Sequence, residues 1–372
     1  MRGTVFAARR WPSAAAAAVV LLAAASARAQ CVLPDDALPE LTSGLRTPLG
    51  IAQSNQGNLI VSESGILGTP HTGRISILDT LGNRRTLVDG LPSATNDAGD
   101  SSRTGNPNPA SPIFTSVLAI HFSAQVERIT TGYTLTMGDQ QALANGERVR
   151  LANGQTDKAA IELVANFPDY TPNPTPAFPA NVRGGNSFDV AVIGDQLFVT
   201  DGGQNAVYRV DLLTRAFAVL ATFAPVPNPL FNPAPPPPSA GGPFVEAVPT
   251  GIRESNGQLL ITLLRGFPFP AGTSVVEQVD PSTGAHAPFL TGFKTAIDVL
   301  PVSEDGESTD YLVMQHALGF ILGGTGSLTR VPASGSPVVL TSCLTRPTSF
   351  TRDDKSGTVY VTELAGRVVV IE

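Results

Sequence analysis

Two aspartates set in apolar surroundings are the first residues that could do chemistry. Asp189 sits in Ser187-Phe188-Asp189-Val190 and Asp298 in Ala296-Ile297-Asp298-Val299, each directly after an apolar residue. Carboxylates on β-prone runs could face a central channel and hold a divalent cation such as Ca2+ through oxygen ligands. The alternative is a capped turn or a water-filled channel wall. The positions that look equivalent elsewhere, Ile51 or Ala52, Ile252 and Phe350, are apolar, so the ligand count would be low.

Arg265, Phe267 and Phe269 form a second constellation in Arg265-Gly266-Phe267-Pro268-Phe269-Pro270. A guanidinium could bind a carboxylate, and two aromatic rings could anchor a hydrophobic ligand or partner. The alternative is that this loop folds over a channel mouth and buries its rings. Of the four histidines, His71 and His316 fall in loops expected on one face, where they could meet as ligands or bases, whereas no spacing suggests zinc. The only two cysteines are Cys31 and Cys343. In an exported chain such a pair reads first as one disulfide, with two free thiols as the alternative. No G-x-S-x-G, H-E-x-x-H or P-loop pattern occurs, so no catalytic residue is assigned.

What must position these residues is a repeat. Residues 186–211 read as three short apolar runs separated by Gly194-Asp195 and Gly202-Gly203, an antiparallel meander with tight turns. The same phrase recurs along the chain. With 36 Gly and 32 Pro in 372 residues, many turns and few long helices are expected. We expect an all-β, six-bladed β-propeller with units at about 45–91, 92–166, 186–224, 245–292, 293–343 and 344–372. The last unit has three strands before the chain ends. Glu40-Leu41-Thr42-Ser43-Gly44-Leu45 is similar to Val339-Leu340-Thr341-Ser342-Cys343-Leu344, so residues 38–45 should supply the missing strand and close the ring. A Cys31–Cys343 bridge would lie near that seam.

Three Pro-, Gly- or Asn-rich stretches, 92–112, 168–186 and 225–243, precede first strands. They share a face with the longer loops between second and third strands at 63–73, 264–272 and 315–326. The long loops therefore gather on one side of the disc, the usual place for binding.

Residues 1–29 read as a signal peptide: Arg2, Arg9 and Arg10, then an apolar run, then Ala27-Arg28-Ala29. A secreted or periplasmic chain is expected, with no transmembrane segment after cleavage. Losing Arg2, Arg9, Arg10 and Arg28 would take the formal charge from −7 to −11. Such an acidic surface disfavours nucleic acid and anionic membranes. A monomer is expected.

Val248-Pro249-Thr250-Gly251-Ile252, Gly257-Gln258-Leu259-Leu260-Ile261, Gly266 to Gly272, Gly292 to Val299 and Pro347 to Val361 together resemble the ScyD/ScyE family of exported propellers, which are similar to NHL and TolB-like six-bladed propellers. The resemblance covers most of the mature chain, most strongly residues 186–372, then 41–91, and least 92–180. It implies a fold and an exported location, and no catalytic set. The expected function is a non-catalytic scaffold that binds a protein or small-molecule ligand on the long-loop face, with no cofactor. The alternative is a lactonase-like or sugar-dehydrogenase-like propeller with a cation or quinone in the channel.

Overall fold

A computed structural model describes residues 38–53, 57–66, 69, 72–91, 182–232, 242–303, 308–319 and 324–372, with short pieces between 95 and 172. The described residues are all-β, without a helix. They form a β-propeller of five four-stranded antiparallel blades. Blade A comprises Pro48–Gln53, Leu59–Glu63, Gly73–Leu78 and Arg84–Leu91. Blade B comprises Ser187–Ile193, Gln196–Asp201, Ala206–Asp211 and Phe217–Thr222. Blade C comprises Pro249–Ser255, Gln258–Leu263, Ser274–Val279 and His286–Phe293. Blade D comprises Ala296–Val302, Asp310–Gln315, Gly326–Val331 and Val338–Leu344. Blade E comprises Pro347–Arg352, Val359–Glu363 and Arg367–Ile371, and its fourth strand is Glu40–Thr42 from the other end of the chain, with Glu40 opposite Val369. The arrangement has five blades where six units were expected. Most of the second unit, at 92–166, lies outside the described residues, as do 1–29, Cys31 and His71.

Inner strands of consecutive blades lie side by side in the order B, C, D, E, A. Apolar side chains fill the space between blades. Phe198 and Val207 of blade B meet Ile252, Leu259 and Ile261 of blade C. Met314 and Leu328 of blade D meet Phe350 and Val361 of blade E. The other face of blade B carries Leu197, Val199 and Tyr208, covered by Ala165 and Phe167; the Phe167 and Tyr208 rings stack at 4.4 Å.

The blades share two polar devices. At the end of the second strand, an acceptor side chain takes an N–H from the approach to the inner strand. Glu63 takes that of Arg46, Asp201 that of Asn186, Gln315 that of Lys294 and Glu363 that of Thr345. The next residue then donates its own N–H back: Ser64 to Thr47, Gly202 to Asn186, Leu264 to Val248, His316 to Thr295 and Leu364 to Arg346. Both bonds satisfy backbone groups that the sheet ladder leaves open. Hydroxyls of inner and second strands also tie blade to blade, from Thr200 to the Thr250 carbonyl, Thr262 to Ile297 and Thr348 to Pro48.

Candidate functional site

Each inner strand breaks register just after its opening residue, between Pro48 and Gly50, Ser187 and Val190, Pro249 and Ile252, Ala296 and Asp298, and Pro347 and Ser349. Such irregularities re-aim a side chain. They also correct the sequence alignment of the units. The residues equivalent to Asp189 and Asp298 are Gly50, Gly251 and Ser349, one place earlier than the apolar positions first matched to them. Small size matters at Gly251. A Cβ there would lie 2.7 Å from the Asp298 Cα and 2.8 Å from the Ile297 carbonyl oxygen.

The two aspartates do converge, and Arg253 lies between them. Its Nη1 donates to Asp189 Oδ2 at 2.5 Å and its Nη2 to Asp298 Oδ2 at 2.9 Å. Asp189 Oδ2 also accepts the Ile252 N–H at 3.0 Å. Asp298 accepts Ser349 Oγ at 2.9 Å, the Phe350 N–H at 3.2 Å and the Val299 N–H at 2.8 Å. This network joins blades B, C, D and E in succession. The Asp298 side chain is 1% exposed, whereas Asp189 and Arg253 retain 19% and 20%.

Burial pushes the Asp298 carboxyl up to about 6; Arg253 pulls against that shift and the Asp189 charge adds to it. Burial disfavours the charged form of Arg253, yet the two carboxylates outweigh it and raise its pKa. Arg253 was absent from the sequence reading. Its signal was available: once the units are aligned on the residue that opens each inner strand, an arginine falls two places after the Asp position in blade C.

The arrangement fits Ca2+ poorly. Calcium takes six to eight oxygens, about two of which could come from these carboxylates. Here a guanidinium already supplies the counter-charge, and both Oδ2 atoms point at it. Among the described residues no group of three His, Cys, Asp or Glu side chains stands ready for a metal.

The other predicted residues are scattered. His316 is buried, and its Nδ1 lies 2.8 Å from the Pro347 carbonyl oxygen, so the imidazole donates across the D–E interface. Burial lowers its pKa, and Arg346 adds to the effect. It is an inter-blade tie. Arg265 is 5% exposed and turned inward, with Nε donating to the Thr273 carbonyl at 2.8 Å, and its Nη1 is buried without a hydrogen-bond partner. The side chain packs beneath its loop. Phe267 is 52% exposed, Phe269 is half-buried, and their rings meet edge to face at 6.2 Å. Cys343 lies in the outer strand of blade D.

Neither a family model nor a curated protein matches the chain. Among solved structures it is similar to a gluconolactonase from Xanthomonas campestris, at 13% identity over 89% of this chain and 88% of that one, with a TM-score of 0.48. It is also similar to an oxidoreductase described as a glucose dehydrogenase from Thermus thermophilus (14% identity, 90% and 99% covered, TM-score 0.47). A third is virginiamycin B lyase from Staphylococcus aureus (13% identity, 90% and 97% covered, TM-score 0.44). Identities this low carry no residue roles across, and the fold stands on the strand pairings above.

Proposed function

We propose that this chain is an exported, non-catalytic binding module of the ScyD/ScyE type, a six-bladed propeller that engages its ligand through the long-loop face. The observation that carries the non-catalytic reading is the Asp189–Arg253–Asp298 network. The two carboxylates that could have formed a channel reaction site are engaged by one guanidinium and by strand N–H groups. They hold four blades in register, which is a structural task.

Six blades are supported by blades A and B, which are not neighbours of the kind the other inner strands make. They are supported also by Ala165, at the end of the second unit, and Phe167 just after it, which cover the other face of blade B. Cleavage after Ala29 would leave Cys31 seven residues before Leu38, which packs against the D–E core. From there it could reach Cys343 in blade D and tie the closing strand to its neighbour, worth on the order of 4–5 kcal/mol in the chain-entropy model, less strain.

Metal analysis of protein purified without chelator, followed by Ca2+ titration calorimetry, tests the reading. We expect metal well below one equivalent and no tight saturable binding. One firmly held Ca2+ per chain, lost in Asp189→Asn, would overturn it. A second reading draws on the raised Asp298 pKa beside Asp189. Two carboxylates whose environments differ can divide acid and base roles. It predicts turnover of a lactone or sugar substrate that disappears in Asp298→Asn.

A further inference from the structure

The long-loop end of the channel carries a cation that the scaffold does not require. Arg346 directly precedes the inner strand of blade E, and its carbonyl accepts the Leu364 N–H at 3.1 Å. Thr47, Val248 and Thr295 hold the same place in blades A, C and D, so the turn closes equally well without a charge. Other cations at this end are answered. Arg46 Nη1 lies 3.0 Å from Asp89 Oδ1, Lys294 Nζ donates to the Leu318 carbonyl at 3.1 Å, Arg265 donates into its own loop, and Arg367 pairs with Glu363. Arg346 makes no ion pair among the described residues, and its Nε is buried without a hydrogen-bond partner. A buried donor without an acceptor is uncommon and calls for an explanation.

The floor of this mouth is apolar. Phe188, the second residue of the inner strand of blade B, packs against a core cluster whose buried members all belong to blades D and E. Blade C stands between B and D, so the Phe188 ring reaches over the channel. Leu264, just after the second strand of blade C, joins the same cluster. Both side chains keep part of their surface in solvent, and Phe188 lies one residue outward of Asp189. His316 holds in blade D the place that Leu264 holds in blade C, since each donates its N–H back to the residue before the inner strand. Its Nδ1 meets the carbonyl of Pro347, next to Arg346, and the Arg346 charge helps to keep the imidazole neutral. Leu264, His316 and Arg346 thus follow one another round the mouth.

We propose that this mouth, Arg346 with Phe188 and Leu264, binds an organic monocarboxylate that carries an apolar body. This rests on the binding reading above and names its ligand class. A guanidinium grips a carboxylate through paired N–H donors, and the orphaned Nε is one such donor. Phe188 and Leu264 offer the apolar surface that the body of the ligand would cover, with a charged group at one edge to orient it, as small-molecule sites commonly do. One unanswered cation, on an acidic molecule and outward of the partly exposed Asp189, favours a single negative charge over a phosphate or a dicarboxylate.

Titration calorimetry of the full chain with hexanoate tests this, with acetate and 1-hexanol as probes that lack the body and the charge. We expect equimolar hexanoate binding. Acetate should bind weaker by about 30-fold or more, because its missing methylenes bury nothing. 1-Hexanol should bind weaker by about 10- to 100-fold, as should hexanoate to Arg346→Gln, for want of the charge-assisted pair. The melting temperature of Arg346→Gln should match the parent. Phe188→Ala should weaken hexanoate about tenfold, and Leu264→Thr, at a partly exposed position, gives the same reading if Phe188→Ala melts early. The His316 imidazole signals in the proton NMR spectrum, identified by their loss in His316→Gln, should move along the same titration curve. No saturable hexanoate binding below about 10 mM, a loss under about threefold in Arg346→Gln, or acetate binding as tightly as hexanoate would each overturn the proposal. A resident Ca2+ in the metal analysis described above would instead overturn the binding reading, so the two failures are told apart.

Discussion

Replacing Arg253 by Leu removes the one positive charge between Asp189 and Asp298. The structure sets the size of the effect. The lost contacts are 2.5 and 2.9 Å long and mostly shielded from water. A unit-charge pair about 4 Å apart is worth about 4 kcal/mol at an effective dielectric constant of 20. Breaking a buried pair from one side costs about 3–5 kcal/mol, because the partner is left charged and desolvated. Protonation limits that cost. Asp298 already holds its proton up to about pH 6, and without Arg253 it would hold it higher still. A carboxyl whose folded pKa is raised contributes its stability fully below the unfolded value, near 3.8, and loses it as pH rises through the folded value. The deficit of Arg253→Leu should therefore be smallest near pH 5 and grow to about 3–5 kcal/mol by pH 8. Chemical denaturation from pH 5 to pH 8 reads this directly. Arg253→Leu/Asp298→Asn should recover part of the loss at pH 8. A deficit below about 1 kcal/mol at pH 8, or one flat across the range, would refute the assignment of Arg253 as the counter-charge.

Three other perturbations follow from the same geometry. Glu63→Gln should cost about 3–5 kcal/mol, since it leaves the buried Arg74 guanidinium unpaired; Glu363→Gln should cost only up to about 1 kcal/mol because Arg367 keeps 35% exposure. Equilibrium unfolding of both variants checks the order. His316→Gln keeps a donor for the Pro347 carbonyl and removes a group that folding holds below its ordinary pKa. Folded-state stability conferred by neutral His316 is present above about pH 6.5 and lost on acidification, so the variant should lose less stability than the parent between pH 6.5 and 5 in thermal melts. Deleting residues 38–45 removes the strand opposite Val369 and the Leu45 N–H bond to Gly366. Calorimetry should then show broadened, non-cooperative unfolding, and a melt like that of the intact chain would sink the account of blade E.

Much of the scaffold could be read from local chemistry. The turns at Gly194-Asp195 and Asn256-Gly257 carry positive φ at Gly194, Asn256 and Gly257, and the alternating apolar runs between such turns name the strands of blades A to E. The likeness of residues 40–45 to 339–344 pointed to a strand at each end of the chain, and Glu40–Thr42 occupies the outer place of blade E. The site was less legible. Asp189 and Asp298 were singled out together and both meet Arg253, yet the positions equivalent to them in other units were misassigned by one residue, because a break in register shifts which side chain faces the channel without any change in composition. Arg265 drew notice for its charge beside two rings, but whether a long side chain turns outward or folds beneath its own loop depends on the backbone, and at Arg265 φ is +74°.

The sequence by itself therefore determined the kind of element and its repetition, because turns and alternation are properties of a few adjacent residues. Only the tertiary structure decided that Asp189, Arg253 and Asp298 meet, since they stand on three different blades and their bonds span 64 and 45 residues. It also decided which rings stay in water. Phe198 and Phe350 are buried between blades while Phe244 and Phe267 are exposed, a difference set by which blade faces have neighbours and not by the residue type.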